Sequence, residues 1–348
     1  MQFTDLDAEL DRLEADRDFS GSVLITQAGR TVYESCRGLA DRAWGAPIGL
    51  GTRFALGSVT KSFTAVAILD LVGEGRLGLD TAVASVLPPE RRPSTLRDDV
   101  TVRHLLTHTS GIADYFEEET ATDDWVEEFA ALWRDRPVYR VVTPVDYLPL
   151  FAELPPYRAP GGRFQYSNAG FILLGLVVEE VAGTDYFTAI DERVFSPAGM
   201  DASGFFRTDE VRPDVATGYL PPTAPGRPWR TNVFSTPANG APDGGAFSSA
   251  PDLDRFLTAY AAGELVKPDL LEQALSPHIH IGKITSMGLG VYLFGDDDKR
   301  AFGADGGDPG AEALIRRYPV LDVNTVVLSN VNGPTWAVDE AVRAVVKA

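Results

Sequence analysis

The chain has 348 residues, with Lys+Arg 31 against Asp+Glu 50 and a formal net charge of −19. That balance excludes a nucleic-acid partner, which requires a basic face, and disfavours binding to an anionic membrane surface. Hydrophobic content of 44% and charged content of 23% are those of a globular protein able to bury one large core, and the single cysteine, Cys36, excludes an intramolecular disulfide.

In chain order, residues 4–16 place Leu6, Leu10 and Leu13 near one face with acids opposite, which predicts a short amphipathic helix. The segment Met1–Glu9 is acidic and carries no apolar leader, so a cytoplasmic location is expected. Gly21–Gln27 and Thr31–Cys36 read as strands joined through Ala28-Gly29-Arg30. The short glycine-containing connection predicts a hairpin and an antiparallel start to the sheet. Residues 37–53 form a Gly- and Ala-rich loop that delivers the chain to Phe54-Ala55-Leu56-Gly57-Ser58-Val59-Thr60-Lys61.

Ser58 and Lys61 are three apart and share one face if they open a helix. Phe63, Val66, Ala67, Leu69, Leu71 and Val72 follow, and Gly73 and Gly75 end the run, so the helix is predicted to be buried. A serine at the positive end of a core helix, one turn from a desolvated lysine, has a base for its proton and a dipole that favours negative charge. An N-cap serine with a snorkelling lysine satisfies the same spacing, so the motif needs support from the rest of the chain.

Thr101–Ile112 reads as a short helix capped by Thr101 and ended at Gly111. The acidic stretch Glu117–Glu128 reads as a solvated helix face, and its closeness to Tyr115 leaves room for a lid. Tyr166-Ser167-Asn168 precedes a second apolar helix, Phe171–Val181, ended by Gly183. Residues 211–242 form a long Pro-, Gly- and Thr-rich loop, a length that is uncommon unless functional. Gly244–Leu253 leads into a helix capped by Ser249 or Asp252. Strands are predicted at Met287–Phe294, Arg300–Gly303, Ala311–Arg317 and Asn324–Asn330, then a last helix at Trp336–Val346. Strands at both ends with helices between predict an α/β (α+β) single domain over residues 1–348. Its antiparallel sheet would come from about 1–57 and 250–348, and a mostly helical part from about 58–249. His104, His108, His278 and His280 lack zinc-ligand spacing, and no Gly-x-Ser-x-Gly, Gly-x-Gly-x-x-Gly or P-loop occurs, so neither metal nor cofactor is expected.

Ser58-Val59-Thr60-Lys61 followed by Tyr166-Ser167-Asn168 resembles the serine β-lactamase and penicillin-binding protein superfamily. The Tyr-x-Asn form is similar to the class C β-lactamase branch, with its esterases, D-aminopeptidases and transesterases. His104-Leu105-Leu106-Thr107-His108-Thr109-Ser110-Gly111, and Gly244-Gly245 with Ser248–Leu253, resemble connecting sequence of that branch. The resemblance implies Ser58 as acylated nucleophile, Lys61 as a group that helps deprotonate it, and Tyr166 as general base or acid with a phenol pKa lowered by the ammonium. Asn168 would bind a substrate amide or position Lys61. The third motif departs: Phe302-Gly303-Ala304-Asp305-Gly306-Gly307-Asp308-Pro309-Gly310 keeps the glycines but has Ala304 where the family has Lys or His. The backbone N–H groups of Ser58 and Gly307 would still supply an oxyanion hole.

Tyr115, Ala304, Asp305 and Gly306 are the expected substrate-binding residues, with Trp125, Trp133 and Trp229 as further candidate walls. Loss of the cation disfavours carboxylate-bearing β-lactams, and Asp305 in its neighbourhood motivates a substrate that is neutral or carries an amine. The expected activity is hydrolysis of a small-molecule ester or amide, esterase first, with acyl transfer as a variant. The alternative expectation, motivated by Ala304, is a catalytically impaired binding or regulatory protein.

Overall fold

The computed structural model describes residues 3–224, 226–295 and 300–347. Helix α1 (Thr4–Arg17) carries Leu6, Leu10 and Leu13 on its buried face. Strands β1 (Gly21–Gln27) and β2 (Arg30–Arg37) then pair antiparallel. Ala28 and Gly29 make the turn with φ of 50° and 71°, values a glycine adopts without steric cost.

The helix that carries Ser58 and Lys61 begins as a 3-10 turn, Gly57–Val59, and continues as α2 (Thr60–Gly73). It is apolar on all sides, and Phe63 lies edge-on between Phe195 and Phe256 at ring distances of 5.1 and 4.9 Å. Burying such a ring stabilises by about 1.5–3 kcal/mol and holds the start of the helix in place. Helix α3 (Asn168–Ala182) packs beside α2 and stops at Gly183, φ 77°. The short helix expected to reach Gly111 spans only Val102–Leu106, because the backbone turns at His108 with φ 53°. The acidic stretch is a single 3-10 turn, Glu118–Thr120, and a helix, Trp125–Ala131. Helix α4 (Ala250–Ala261) is capped by Ser249, whose Oγ accepts from Asp252 N.

Past α4 the chain returns to the sheet through β3 (Ile279–His280), β4 (Thr285–Met287), β5 (Tyr292–Phe294), β6 (Ala301–Asp308), β7 (Ala311–Tyr318) and β8 (Val323–Ser329), and ends in α5 (Thr335–Lys347). The strand order is β2-β1-β8-β7-β6-β5-β4-β3, all antiparallel, so the two ends of the chain meet at β1 and β8. The run Met287–Phe294, expected as one strand, is a hairpin. Gly288 abuts Ala274, where a Cβ would lie 2.0 Å from the carbonyl oxygen, and Gly290 turns with φ 75°. β6 runs further than expected, to Asp308, with Gly306 and Gly307 inside the ladder opposite Ala313 and Glu312.

Both faces of the sheet are covered. On β8, Val326 and Leu328 enter the core shared with α2 and α3, while Val323 and Val327 enter a second core under α1 and α5. All seven residues of β8 are buried, and its polar members, Asn324, Thr325 and Ser329, share the strand with the apolar run Val326–Leu328. Among the described residues no helix is long and apolar enough to cross a membrane.

Candidate active site

Ser58 sits where β6 passes against the start of α2. A Cβ on Gly306 would lie 2.8 Å from Ser58 N, and one on Gly57 would lie 2.6 Å from Gly307 N. Only glycine lets the two backbones approach this closely. The approach brings the backbone of Gly306-Gly307 against that of Gly57-Ser58, where the sequence reading expects the oxyanion hole.

Lys61 is 4% exposed, and its Nζ contacts Ser58 Oγ at 2.9 Å, Asn168 Oδ1 at 2.7 Å and the Asp243 carbonyl oxygen at 2.5 Å. Two of the three partners can only accept, and the third is a hydroxyl. Nζ donates to all three, which holds the amine against the serine hydroxyl. Burial pushes the Lys61 pKa down, against the pull of Asp243, Glu118, Asp114 and Asp308. The loss of water thus favours the base form a serine nucleophile needs.

Tyr166 lines the same cavity as Ser58, and Lys61 Nζ lies 4.8 Å from its ring centre. The expected lowering of the phenol pKa is reversed here. Burial pushes it well above its usual value, and Glu118 adds to the rise. Tyr166 therefore rests as a neutral phenol able to donate a proton. Asn168 opens α3; Ser167 caps that helix through Gly170 N at 3.0 Å, and the Asp114 carboxyl accepts from Asn168 N at 2.5 Å and Ala169 N at 3.0 Å. Burial raises Asp114 to about 7 despite these amides.

His108 had been singled out only as connecting sequence. Its ring stacks on Tyr166 at 4.6 Å, and its Nδ1 accepts from Ser167 N at 3.0 Å. Burial holds the imidazole neutral, so it supports the phenol as a packing partner. Tyr292 was also missed, because the strand assigned around it was a hairpin. It lines the cavity beside Ser58 with Tyr166 and Gly307.

That cavity, about 470 Å³, includes Ser58, Phe116, Trp125, Tyr166 and Asn168. A neighbouring one of about 510 Å³ is lined by Phe54, Phe206 and much of the 211–242 loop. The two share Tyr115, Phe129, Asp243, Gly244 and Asp308. Tyr115 donates its hydroxyl to Asp243 Oδ2 between them. Of the expected walls, Tyr115 and Trp125 line the first cavity. Trp133 is buried behind Phe129, and Trp229 lies under the Arg42 guanidinium, 3.8 Å away.

The third-motif residues divide by strand alternation. Ala304 and Gly306 face α2, and Ala304 is closed into the core at 5% exposure. Asp305 faces the other side; it touches the cavity, but its carboxylate is ion-paired with buried Arg316. The negative charge expected there is neutralised. It comes instead from Glu118, Asp243 and Asp308, three residues the sequence did not single out as acids of the site.

The chain belongs to the β-lactamase family: that family's model matches residues 6–348. It is 30% identical to penicillin-binding protein 4* of Bacillus subtilis (strain 168) over 95% of this chain and 71% of that protein. It is 33% identical to esterase EstB of Burkholderia gladioli over 77% of this chain and 72% of that one. The crystal structure of a penicillin binding protein from Bacillus halodurans superposes with a TM-score of 0.88 at 36% identity, covering 97% of this chain and 99% of that chain. Fold and family together make the chain a serine hydrolase in the general sense.

Proposed function

We propose that the protein hydrolyses a small-molecule ester or amide through an acyl-enzyme on Ser58, with esters as preferred substrates. The observation that carries this is the 2.9 Å contact between buried Lys61 Nζ and Ser58 Oγ, with the remaining Lys61 contacts going to pure acceptors. In the first step the Ser58 proton passes to Lys61 as Oγ bonds the carbonyl carbon. The oxyanion is held by the amides of Ser58 and Gly307. As the carbonyl–leaving-group bond breaks, the leaving group takes a proton from the Tyr166 phenol, which Lys61 resupplies. Water then attacks the acyl group, with the same two side chains exchanging the proton in reverse; an alcohol or amine in place of water gives acyl transfer. None of these steps uses a side chain at position 304, so Ala304 leaves them intact and disfavours the binding-only alternative.

Lys61→Ala is expected to lower kcat/KM for p-nitrophenyl acetate by about 10²–10⁴-fold, and Lys61→Arg to fail to restore it, because a guanidinium stays protonated. The wild-type acid limb should lie below the ~10.4 of an ordinary lysine. Near-normal activity of Lys61→Ala would refute the proposal.

A further inference from the structure

Two chains of hydrogen bonds leave Lys61 and close on one residue. Along the first, Lys61 Nζ donates to Asn168 Oδ1 at 2.7 Å, and Asn168 N donates to Asp114 Oδ2 at 2.5 Å. Along the second, Nζ donates to the Asp243 carbonyl oxygen at 2.5 Å, the Tyr115 hydroxyl donates to the Asp243 carboxylate, and Tyr115 N donates to Asp114 Oδ1 at 2.7 Å. Asp114 itself is 4% exposed and lines neither cavity. It therefore acts on the reaction through Lys61 or not at all.

The anchor is held in place from behind. Gly111, φ 68°, lies so close to Arg158 that a Cβ there would be 2.5 Å from the Arg158 carbonyl oxygen. Tyr157 N donates to the Gly111 carbonyl oxygen at 2.8 Å, and Asp114 N donates to the Tyr157 hydroxyl oxygen at 3.3 Å. The links toward Lys61 have little freedom either. Asn168 Nδ2 donates to Glu118 Oε1 at 3.3 Å, which leaves its Oδ1 turned to Lys61. The Tyr115 ring packs against Tyr147 and Phe151 at ring distances of 5.9 and 6.4 Å. The Asp114 carboxylate also takes the Ala169 amide at 3.0 Å and so caps α3, but Tyr115 N lies outside that helix, and a cap alone has no use for it. Both carboxylate oxygens are committed. In Asp114→Asn one side of the side-chain amide turns N–H groups toward backbone N–H groups, so one of the two chains is released.

We propose that Asp114 is a positioning residue for acylation, holding Lys61 Nζ against Ser58 through Asn168 on one side and through Tyr115 and Asp243 on the other. This rests on the acyl-enzyme proposal for Ser58. The test is stopped-flow acylation by p-nitrophenyl acetate at pH 8, above the value of about 7 to which burial raises the Asp114 carboxyl. It separates the acylation rate constant from the substrate dissociation constant, and Ser58→Ala supplies the background rate. Asp114→Asn and Tyr115→Phe are each made in the wild type and in Lys61→Ala, with folding checked by circular dichroism. In the wild type, Asp114→Asn should lower the acylation rate constant by about 10–10²-fold with the dissociation constant unchanged, and Tyr115→Phe should lower it by about threefold. In Lys61→Ala each substitution should change the rate by less than about twofold, because no amine is left to misplace. A loss of helix capping alone would slow both backgrounds equally. Equal losses in the two backgrounds, a loss confined to the dissociation constant, or a wild-type rate in Asp114→Asn overturns the positioning role. Should Asp114→Asn fail to fold, Tyr115→Phe decides by the same comparison of backgrounds. If Lys61→Ala is slow and the losses do not depend on the background, the hydrolase proposal stands and only the positioning role falls. If Lys61→Ala acylates as fast as the wild type, Lys61 is not the base and both fall.

Discussion

Lys61 and Asp308 show the two consequences of burial in one cavity. For the lysine, loss of water favours the neutral base. For Asp308 it raises the carboxyl from 3.8 to about 7, with Asp243 and Glu118 adding to the rise and Lys61 opposing it. Between about pH 4 and 7 the folded protein keeps a proton there that the unfolded chain has released, so this group's contribution to stability falls as pH rises through that window. Asp308→Asn removes the titration. Its unfolding free energy should match the wild type near pH 4 and exceed it increasingly up to about pH 7, by at most about 4 kcal/mol at the plateau. Thermal melts across that range with a constant difference would contradict this. Ser58, Lys61, Tyr166 and Asn168 were legible in the sequence because two short spacings on helix starts carry them. Glu118, Asp243 and Asp308 were not. They lie on a 3-10 turn, a loop and a strand end, where no periodicity marks an acid as inward-facing, and strand alternation sends their neighbour Asp305 to Arg316.

At the scale of elements, the site depends on β6 lying flush against the turn that precedes α2. A Cβ on Gly306 would sit 2.1 Å from the Leu56 carbonyl oxygen. Gly306→Ala is therefore expected to push β6 away, costing about 1–3 kcal/mol of stability and about 10²-fold or more in turnover as the amide pair separates. Folded protein with near-wild-type turnover, judged by circular dichroism and p-nitrophenol release, would show that the close approach is not required. The helices bearing the motifs were readable from apolar runs and glycine stops. The length of β6 was not, since glycines at 306 and 307 read as an end and only pairing with Ala313 and Glu312 keeps them in the strand. The β4–β5 hairpin was hidden because Gly288 and Gly290 lie within an otherwise apolar run, and only the turn at Gly290, φ 75°, shows that the run is folded back on itself.

Across the whole molecule, the sheet joins the two ends of the chain and leaves the helical part to lie over one face, so that α2, α3 and β6 converge on Ser58. Strands at both ends of the sequence with helices between them already implied this plan. The packing of the 113–124 segment and the 211–242 loop around two joined cavities could not be read, because neither carries a periodic pattern and both are placed by contacts distant in sequence. The net charge of −19 disfavours the approach of anionic substrates. The most direct test of the account is intact-protein mass spectrometry of wild type and Ser58→Ala during turnover of p-nitrophenyl acetate. The account predicts a transient acetyl adduct on the wild type, none on the variant, and p-nitrophenol released over many turnovers. Equal p-nitrophenol release by both proteins, or no adduct on either, would contradict it.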